Sequence, residues 1–308
     1  SRVKKNIGVV CVTAGPGATN ALPGLAEAWV ESVPLFILSG QVVRKFTSSS
    51  NNYNLRTYGT AEINIINFVK NHTKYSAFID NPKIIRYELE KAYHHCVNGR
   101  PGPVWLDIPL DVQNEIINEK SIERFIHRPI KKNNNEKLNS NVKNIINNLN
   151  KSKKPLIVIG HGAKISKTEI DLIRFCKSYN IPFCVTRFTN DICSHKEKLC
   201  LGVLGEKGQR YTKIIYESTD YILSLGSRLA PTFTCENYNF FFPNAKIDMV
   251  DIEKEEIDKF SNYKNFENRI NCDLADFTKV LKKNKKLVNN RKNDIWIDQI
   301  NNLKGTYP

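Results

Sequence analysis

The sequence predicts an α/β protein with two domains, each built around a doubly wound parallel sheet. Its 308 residues are enough for two domains of ordinary size, each with its own core. Short apolar runs alternate with stretches of helical periodicity, and this alternation occurs twice, before and after a polar segment. Strands separated by helices favour a parallel sheet with helices on both faces.

In the first block, residues 1–112, apolar runs predict strands, and apolar residues at helical spacing predict the helices between them. The predicted strands are residues 7–13, 34–39 and 104–107. The predicted helices are residues 18–32, 62–69 and 82–98. A polar stretch rich in Ser and Asn, residues 42–58, is expected to form a long loop.

The second block, residues 153–282, repeats the alternation and predicts another doubly wound domain. Its predicted strands are residues 156–159, 182–186, 221–225 and 247–252, and its predicted helices are residues 167–179 and 211–218. Residues 113–152, rich in Asn and Lys, are expected to form a linker with one amphipathic helix near 141–149. Residues 283–308 are basic and polar, and predict the start of a linker to a further domain.

Composition and charge argue against several classes of protein. Hydrophobic residues make up 41% and charged residues 25% of the chain, as in ordinary soluble domains. No apolar run approaches the roughly 18 residues of a membrane span, and no secretory signal pattern precedes the first strand. We therefore expect a cytoplasmic protein without a membrane partner.

The formal net charge of +15 raises the question of nucleic-acid binding. The Lys and Arg residues are dispersed, however, and no arginine-rich helix or aromatic RNA-binding motif accompanies them. This pattern is typical of a chain that is rich in Lys and Asn throughout. We expect no nucleic-acid partner.

Eight cysteines are scattered along the chain and form no Cys-x-x-Cys pair. His195 lies between Cys193 and Cys200, but a zinc site needs a second ligand pair at suitable spacing. Reduced thiols are typical of cytosolic proteins. We therefore predict free thiols and no metal site in this chain.

One segment carries the strongest functional signal: Gly8 to Asn20 reads Gly-Val-Val-Cys-Val-Thr-Ala-Gly-Pro-Gly-Ala-Thr-Asn. It resembles the pyrimidine-binding domain of thiamine-diphosphate-dependent enzymes of the acetolactate synthase type, where a strand runs into a Gly-Pro-Gly-x-Thr-Asn turn. The match continues in the same order through residues 24–29, 32–35, 38–41 and 99–109. Such a series is far more specific than one glycine motif.

A glycine-rich turn between a strand and a helix ordinarily suggests a phosphate site, because helix N-termini attract anions. From the residues alone, phosphate is expected at residues 15–19. The resemblance implies a different ligand, with Pro16, Gly17 and Asn20 lining a pocket for the aminopyrimidine ring of thiamine. It also implies that Gln41, at the end of the second strand, lies close to the reacting centre and is the one catalytic candidate.

The loop after the second strand departs from the family pattern. Acetolactate synthases commonly have a Phe-Gln pair there, and the nearest match in this chain is Arg56-Thr57. We therefore expect a different polar group on the substrate side. This departure affects the expected substrate more than the expected cofactor.

The second block resembles the Rossmann-like central domain of the same family, which holds FAD in acetolactate synthases. In oxalyl-CoA decarboxylases and 2-hydroxyacyl-CoA lyases it can hold ADP or part of CoA, and some relatives leave it empty. Strand ends beside helix N-termini suit a diphosphate and a flanking Arg. The candidate residues for FAD or ADP are Gly160, Gly162, Arg187, Gly226, Arg228 and Asp251. Acetolactate synthases often continue Gly-x-Arg-Phe-Asp-Asp, whereas this chain has Gly226-Ser-Arg-Leu-Ala-Pro231, so the occupant stays open.

The resemblance also implies what the complete enzyme needs. An activating Glu lies shortly before the Arg that Arg2 matches, and a diphosphate and Mg²⁺ motif, Gly-Asp-Gly followed by Asn, comes after the central domain. This chain has no Gly-Asp-Gly and begins after the expected Glu. We therefore expect a fragment of an enzyme that uses thiamine diphosphate with Mg²⁺, and we expect the fragment to be inactive alone.

The leading hypothesis is a carboligase or decarboxylase that acts on a 2-oxo acid such as pyruvate, as in branched-chain amino acid biosynthesis. The resemblance implies a homodimer or tetramer formed through the pyrimidine domain. One alternative is a non-catalytic nucleotide-binding or assembly protein that retains the scaffold. Another is a member similar to 2-hydroxyacyl-CoA lyases or oxalyl-CoA decarboxylases.

Overall fold

The chain folds into two compact units, Ser1–Ile130 and Lys131–Pro308. The structure, a computed structural model, describes residues 6–51, 54–118, 120, 122–127, 135–194, 196–205, 208–231, 242–289 and 294–307. Each unit has its own parallel sheet and its own apolar core. The predicted α/β class with two doubly wound parallel sheets is confirmed.

The sheet of the first unit has four parallel strands in the order β1-β2-β4-β3. They are β1 (Gly8–Val12), β2 (Leu35–Gln41), β3 (Tyr75–Phe78) and β4 (Val104–Pro109). Strand β3 was not predicted, because its sequence Tyr-Ser-Ala-Phe is only half-buried and contains no continuous apolar run. It adds an edge to the sheet next to β4.

Helices cover both faces of this sheet. They are α1 (Pro16–Thr19), α2 (Leu22–Val30), α3 (Ile65–Val69), α4 (Ile85–Val97) and α5 (Leu110–Gln113). Alternate residues of the central strands enter separate clusters, with Phe36 and Leu106 in one and Ile37 and Trp105 in the other. The single helix predicted for residues 18–32 is two helices, because a proline in the first turn of α2 starts a new helix after α1.

The sheet of the second unit has six parallel strands in the order β10-β9-β8-β5-β6-β7. They are β5 (Pro155–Ile159), β6 (Phe183–Val185), β7 (Cys200–Val203), β8 (Tyr221–Leu225), β9 (Lys246–Asp251) and β10 (Phe266–Asn271). The two edge strands, β7 and β10, were not predicted. The sequence of β10, Phe-Glu-Asn-Arg-Ile-Asn, is mostly polar because one edge and much of its surface are exposed.

Seven helices of the second unit are described: α6 (Asn135–Lys151), α7 (His161–Ile165), α8 (Glu169–Ser178), α9 (Arg210–Ser218), α10 (Lys254–Asp258), α11 (Leu274–Lys283) and α12 (Asp294–Thr306). Two of them fall in segments that the sequence assigned to linkers. Helix α6 lies within the expected linker 113–152, and α12 lies within the expected linker 283–308. Both helices are packed into the second unit.

Because α6 and α12 pack into the second unit, this unit extends beyond the predicted residues 153–282 at both ends. Helix α6 buries five apolar side chains in the main cluster of this unit: Leu138, Val142, Ile145, Ile146 and Leu149. Helix α12 buries Trp296 and Ile300, and the indole Nε1–H of Trp296 donates to the carbonyl oxygen of Pro155 at 3.3 Å. Residues 135–151 and 294–306 are therefore structural parts of this unit rather than spacers.

The described residues also bear on membrane spans, free thiols and metal ligands. Among the described helices, none combines the length and the apolar character that crossing a membrane would require. The described cysteines are free thiols. No group of three His, Cys, Asp or Glu suited to a metal ion occurs within the described ranges, and His195 lies outside them.

Candidate functional site

The carboxyl edge of the first sheet collects the residues predicted to face the pyrimidine ring. Val12 pairs with Ser39, so the turn after β1 and the end of β2 lie side by side. Pro16 and Gly17 are the first residues of α1, and Gln41 is the last residue of β2. Asn20 follows the last residue of α1 and is exposed.

The turn at Gly15 packs against another loop of the same unit. Gly15 has φ 60° and ψ −124°, a backbone conformation that residues other than glycine do not adopt without strain. A Cβ at this position would lie 2.0 Å from the carbonyl oxygen of Ala61, and a Cβ at Gly17 would lie 2.4 Å from Cγ2 of Thr13. The glycines are therefore required for packing within the protein, whatever ligand lies beside the turn.

The loop that meets this turn is held by a buried carboxylate. Glu62 is 5% exposed; its Oε1 accepts from the Ser48 hydroxyl at 2.8 Å and its Oε2 accepts from the Tyr58 N–H at 3.1 Å. The Thr57 hydroxyl donates to the Gly59 carbonyl at 2.9 Å. Thr57 therefore holds the loop together, while the neighbouring Arg56 is exposed.

The side chain of Gln41 is buried at this edge, and both N–H groups of its amide donate hydrogen bonds. Nε2 donates to the Ile63 carbonyl at 2.9 Å and to Oδ2 of Asp107 at 3.1 Å. Oε1 accepts from the Val42 N–H at 3.0 Å. Gln41 is 6% exposed. Its hydrogen bonds join β2 to the loop at Ile63 and to β4.

Asp107 is the centre of a polar network that the sequence did not assign to the site. Its Oδ1 accepts from the Ser39 hydroxyl at 2.5 Å, and the Ser39 oxygen accepts from the indole N–H of Trp105 at 2.8 Å. Burial raises the pKa of the Asp107 carboxyl to about 6, against the opposing effect of hydrogen bonds from Ser39 and Gln41. One feature of the sequence could have indicated this network: each of two buried strands contains a polar residue, Ser39 in β2 and Asp107 in β4.

In the second unit, the predicted nucleotide residues lie at the point where the strand order reverses. From β5 the chain runs to β6 and β7 on one side, and then to β8, β9 and β10 on the other. Crevices outside the carboxyl ends of strands at such a switch point commonly bind ligands. The predicted residues at these strand ends are Gly160 after β5, Arg187 after β6, Gly226 after β8 and Asp251 at the end of β9.

The three glycines at this switch point pack directly on one another. A Cβ on Gly160 would lie 2.2 Å from the carbonyl oxygen of Gly226, and Gly226 has φ +61°. Their N–H groups donate to backbone carbonyls: Gly160 to Leu225 at 2.9 Å, Gly162 to Gly226 at 3.0 Å, and Gly226 to Val250 at 2.9 Å. These N–H groups are therefore not available to a phosphate, and close backbone packing explains the Gly-x-Gly pattern.

The charged candidates at the same edge differ in exposure. Arg187 and Arg228 are exposed. The Arg228 Nε lies 3.9 Å from Oε1 of Glu256, and the Arg187 guanidinium lies 5.5 Å from the centre of the Phe188 ring. Asp251 is 7% exposed, and its Oδ1 accepts from the Glu253 N–H at 3.0 Å. Within this set, the two arginines are the groups best placed to contact an anion.

Substitution of Gly160 separates a packing role from a ligand role. We expect Gly160→Ala to destabilise the protein without any nucleotide, by about 2–4 kcal/mol, because the new Cβ meets three backbone atoms at once. Urea denaturation in the absence of ligand measures this loss. Gly305→Ala, where a Cβ meets nothing within 4 Å, is the matched control in the same unit. A Gly160→Ala protein with unchanged stability would show that packing does not explain this glycine.

Comparison with known proteins agrees with this architecture and places the chain in a class of enzymes. The family model described as "Thiamine pyrophosphate enzyme, N-terminal TPP binding domain" matches residues 1–69. The model described as "Thiamine pyrophosphate enzyme, central domain" matches residues 142–281. The chain belongs to the thiamine pyrophosphate enzyme family, as the motif series around Gly8–Asn20 predicted.

The curated relatives refine this placement. The acetolactate synthase large subunit of Porphyra purpurea is 31% identical over 264 residues, which are 84% of this chain and 42% of the relative. That of Haemophilus influenzae is 30% identical over 262 residues, 84% of this chain and 44% of the relative. That of Corynebacterium glutamicum is 29% identical over 313 residues, 100% of this chain and 47% of the relative. The chain spans less than half the length of these relatives.

Proposed function

We propose that this chain forms the pyrimidine-binding and central parts of a thiamine-diphosphate-dependent enzyme that ligates or decarboxylates a 2-oxo acid such as pyruvate. The observation that carries the proposal is the meeting of the Gly15–Asn20 turn and Gln41 at one sheet edge, in the unit whose start matches the family's N-terminal domain. The similarity to acetolactate synthase large subunits supports the choice of reaction. The biological role that we propose with this reaction is branched-chain amino acid biosynthesis.

The first unit is proposed to hold the pyrimidine half of the cofactor. When bound, thiamine diphosphate would supply the nucleophile and the electron sink that decarboxylation of a 2-oxo acid requires. Pro16, Gly17 and Asn20 would line one side of the ring, and Gln41 would lie near the reacting centre. The fit rests on the position of the Gly15–Asn20 turn beside the end of β2 and on the carbonyl oxygen of Gln41, which has a second lone pair.

Magnesium is proposed for the complete enzyme rather than for these two units. In the described part of the chain, no group of three metal-ligating side chains is present. Mg²⁺ prefers oxygen ligands from carboxylates together with substrate phosphates. The family resemblance, rather than this absence, leads us to assign the metal and the diphosphate to protein parts other than the sites described above, and we expect this chain alone to be inactive.

For the second unit we propose a nucleotide, FAD or ADP, bound over the switch point between β5 and β8. Arg187 and Arg228 would contact its phosphates, because the N–H groups of Gly160, Gly162 and Gly226 already donate to carbonyls. Asp251 lies at the same edge. A cytoplasmic homodimer or tetramer is the expected state, as implied by the family resemblance.

Cofactor binding tests the proposal. We expect isothermal titration with thiamine diphosphate and Mg²⁺ to show weak but saturable binding through the pyrimidine half, weakened roughly tenfold further by Gln41→Ala, the effect of about one lost hydrogen bond. Gln299→Ala, at an exposed position on α12, is the matched control and should bind like the parent. The same samples are expected to release no carbon dioxide from pyruvate.

Each outcome of this experiment has a defined meaning. A natively folded chain that shows no saturable binding of thiamine diphosphate would overturn the proposed cofactor role. If that chain still bound ADP, and Arg228→Ala abolished the binding, a non-catalytic nucleotide-binding protein would be the better description. Equal weakening by Gln41→Ala and Gln299→Ala would contradict the assignment of Gln41.

A further inference from the structure

The hydrogen bonds of Gln41 leave only one kind of contact for a ligand. A glutamine amide has two N–H donors and a carbonyl oxygen with two lone pairs. Both donors are used, by the Ile63 carbonyl and by Oδ2 of Asp107, and one lone pair accepts from the Val42 N–H. What remains on this side chain is the second lone pair of Oε1.

The orientation of this amide is fixed by its surroundings. Rotating it by half a turn would bring Oε1 against two acceptors, the Ile63 carbonyl and the Asp107 carboxylate. The same rotation would place Nε2 against the Val42 N–H, so donor would meet donor. Because all three contacts favour the same orientation, Gln41 cannot offer an N–H to a ligand without breaking them.

Of the groups that hold the amide, Asp107 is the most firmly placed. Asp107 is 1% exposed, and its backbone pairs in register with Ser39. Its second carboxylate oxygen accepts from the Ser39 hydroxyl, which is itself held by the Trp105 indole. Ile63, by contrast, lies in the loop that precedes α3. The Asp107 carboxylate is therefore the group that fixes the orientation of the Gln41 amide.

We propose that Asp107 is a positioning residue for Gln41, which it orients as a hydrogen-bond acceptor, so that the site selects a ligand group that donates an N–H or O–H. This inference rests on the proposed function, because it takes the edge beside Gln41 as the ligand site. An amino substituent on a heteroaromatic ring is a group of this kind. A ring with an oxo group at the same position is not.

The first test uses the 308-residue chain without any cofactor. Side-chain amide signals in ¹⁵N-edited NMR are assigned to Gln41 by their absence in Gln41→Ala. We expect both Gln41 N–H protons to exchange slowly in the parent. Asp107→Ala should speed the exchange of at least one proton, and Asp107→Asn, whose oxygen can still accept, should restore slow exchange. Unchanged exchange in Asp107→Ala would overturn the positioning role.

The second test measures ligand choice. Thiamine diphosphate carries the amino group on its pyrimidine ring, and oxythiamine diphosphate carries an oxo group in its place. We expect the parent to prefer the amino compound roughly tenfold, the ratio that about one hydrogen bond provides. The preference should fall to near equality in Asp107→Ala and return in Asp107→Asn.

Glu88 provides a matched control for the loss of a buried carboxylate in the same unit. Glu88 is 8% exposed and accepts a hydrogen bond from the Tyr75 hydroxyl, so Glu88→Ala should cost stability but leave the ligand preference unchanged. A preference that falls equally in Glu88→Ala and Asp107→Ala would refute the inference. If no variant binds either compound, the proposed function fails, and the amide exchange alone decides whether Asp107 orients Gln41.

Discussion

Gly15→Ala is expected to unfold or severely weaken the first unit. The new Cβ would lie 2.0 Å from the Ala61 carbonyl oxygen, at a residue with φ +60°. Strain of this backbone region costs about 1–3 kcal/mol, and displacing the Ala61 loop costs about as much again. We expect a total loss of about 3 kcal/mol or more in urea denaturation, together with weaker binding of thiamine diphosphate.

A second glycine of the same unit supplies the control. Gly24 lies inside α2, and a Cβ there would meet nothing within 4 Å. Gly24→Ala should therefore leave the unit intact or stabilise it by about 0.5–1 kcal/mol, since alanine is the better helix former. If Gly15→Ala proved as stable as Gly24→Ala, the close approach of the turn to Ala61 could not be a feature of the folded protein.

Asp248→Ala is expected to have a comparable effect on the second unit. Asp248 is 0% exposed and accepts from the Tyr221 hydroxyl at 2.6 Å, from Asn148 at 3.1 Å, and from the backbone and side chain of Asn268 at 2.9 and 2.7 Å. The carboxylate thus joins α6, β8 and β10 to β9. Its removal leaves several buried donors without an acceptor, and we expect a loss of about 3–5 kcal/mol in urea denaturation.

An exposed aspartate tests whether this effect depends on burial. Asp276 on α11 is half-exposed and pairs across one helical turn with Lys279, at 3.2 Å. Asp276→Ala should change stability by no more than about 0.5 kcal/mol. Burial and the adjacent Asp248 carboxylate raise the pKa of the Tyr221 phenol, so Asp248→Ala should also lower that pKa in an ultraviolet pH titration. Equal losses in the two alanine variants would contradict the buried network.

The motif at Gly8–Asn20 could be interpreted from the sequence because its residues are contiguous and their order is specific. The Asp107 network could not, because Gln41 and Asp107 are 66 residues apart and their contact depends on the register of β2 with β4. Apolar patterning indicated that both strands are buried. It did not indicate which polar side chains would face one another across them.

The Gly160–Gly162 pattern shows a different limit. A Gly-x-Gly after a strand suits both a phosphate turn and a close backbone contact, and the contact partner, Gly226, is remote in the sequence. The linker assigned to residues 113–152 was extended too far for a related reason. Asn and Lys dominate the outer face of α6, while its five buried residues at helical spacing determine where the helix lies.

The hydrogen bond from Trp296 to Pro155 also bears on the order in which the second unit is completed. The two residues are 141 positions apart, so the indole can reach its carbonyl partner only after nearly the whole unit has left the ribosome. A contact between such distant residues closes a large loop, which costs entropy and slows folding. The chain has three tryptophans, and the other two, Trp29 and Trp105, belong to the first unit. Once Trp29 and Trp105 are replaced by Phe, the fluorescence of Trp296 would therefore follow the packing of α12 onto the second unit.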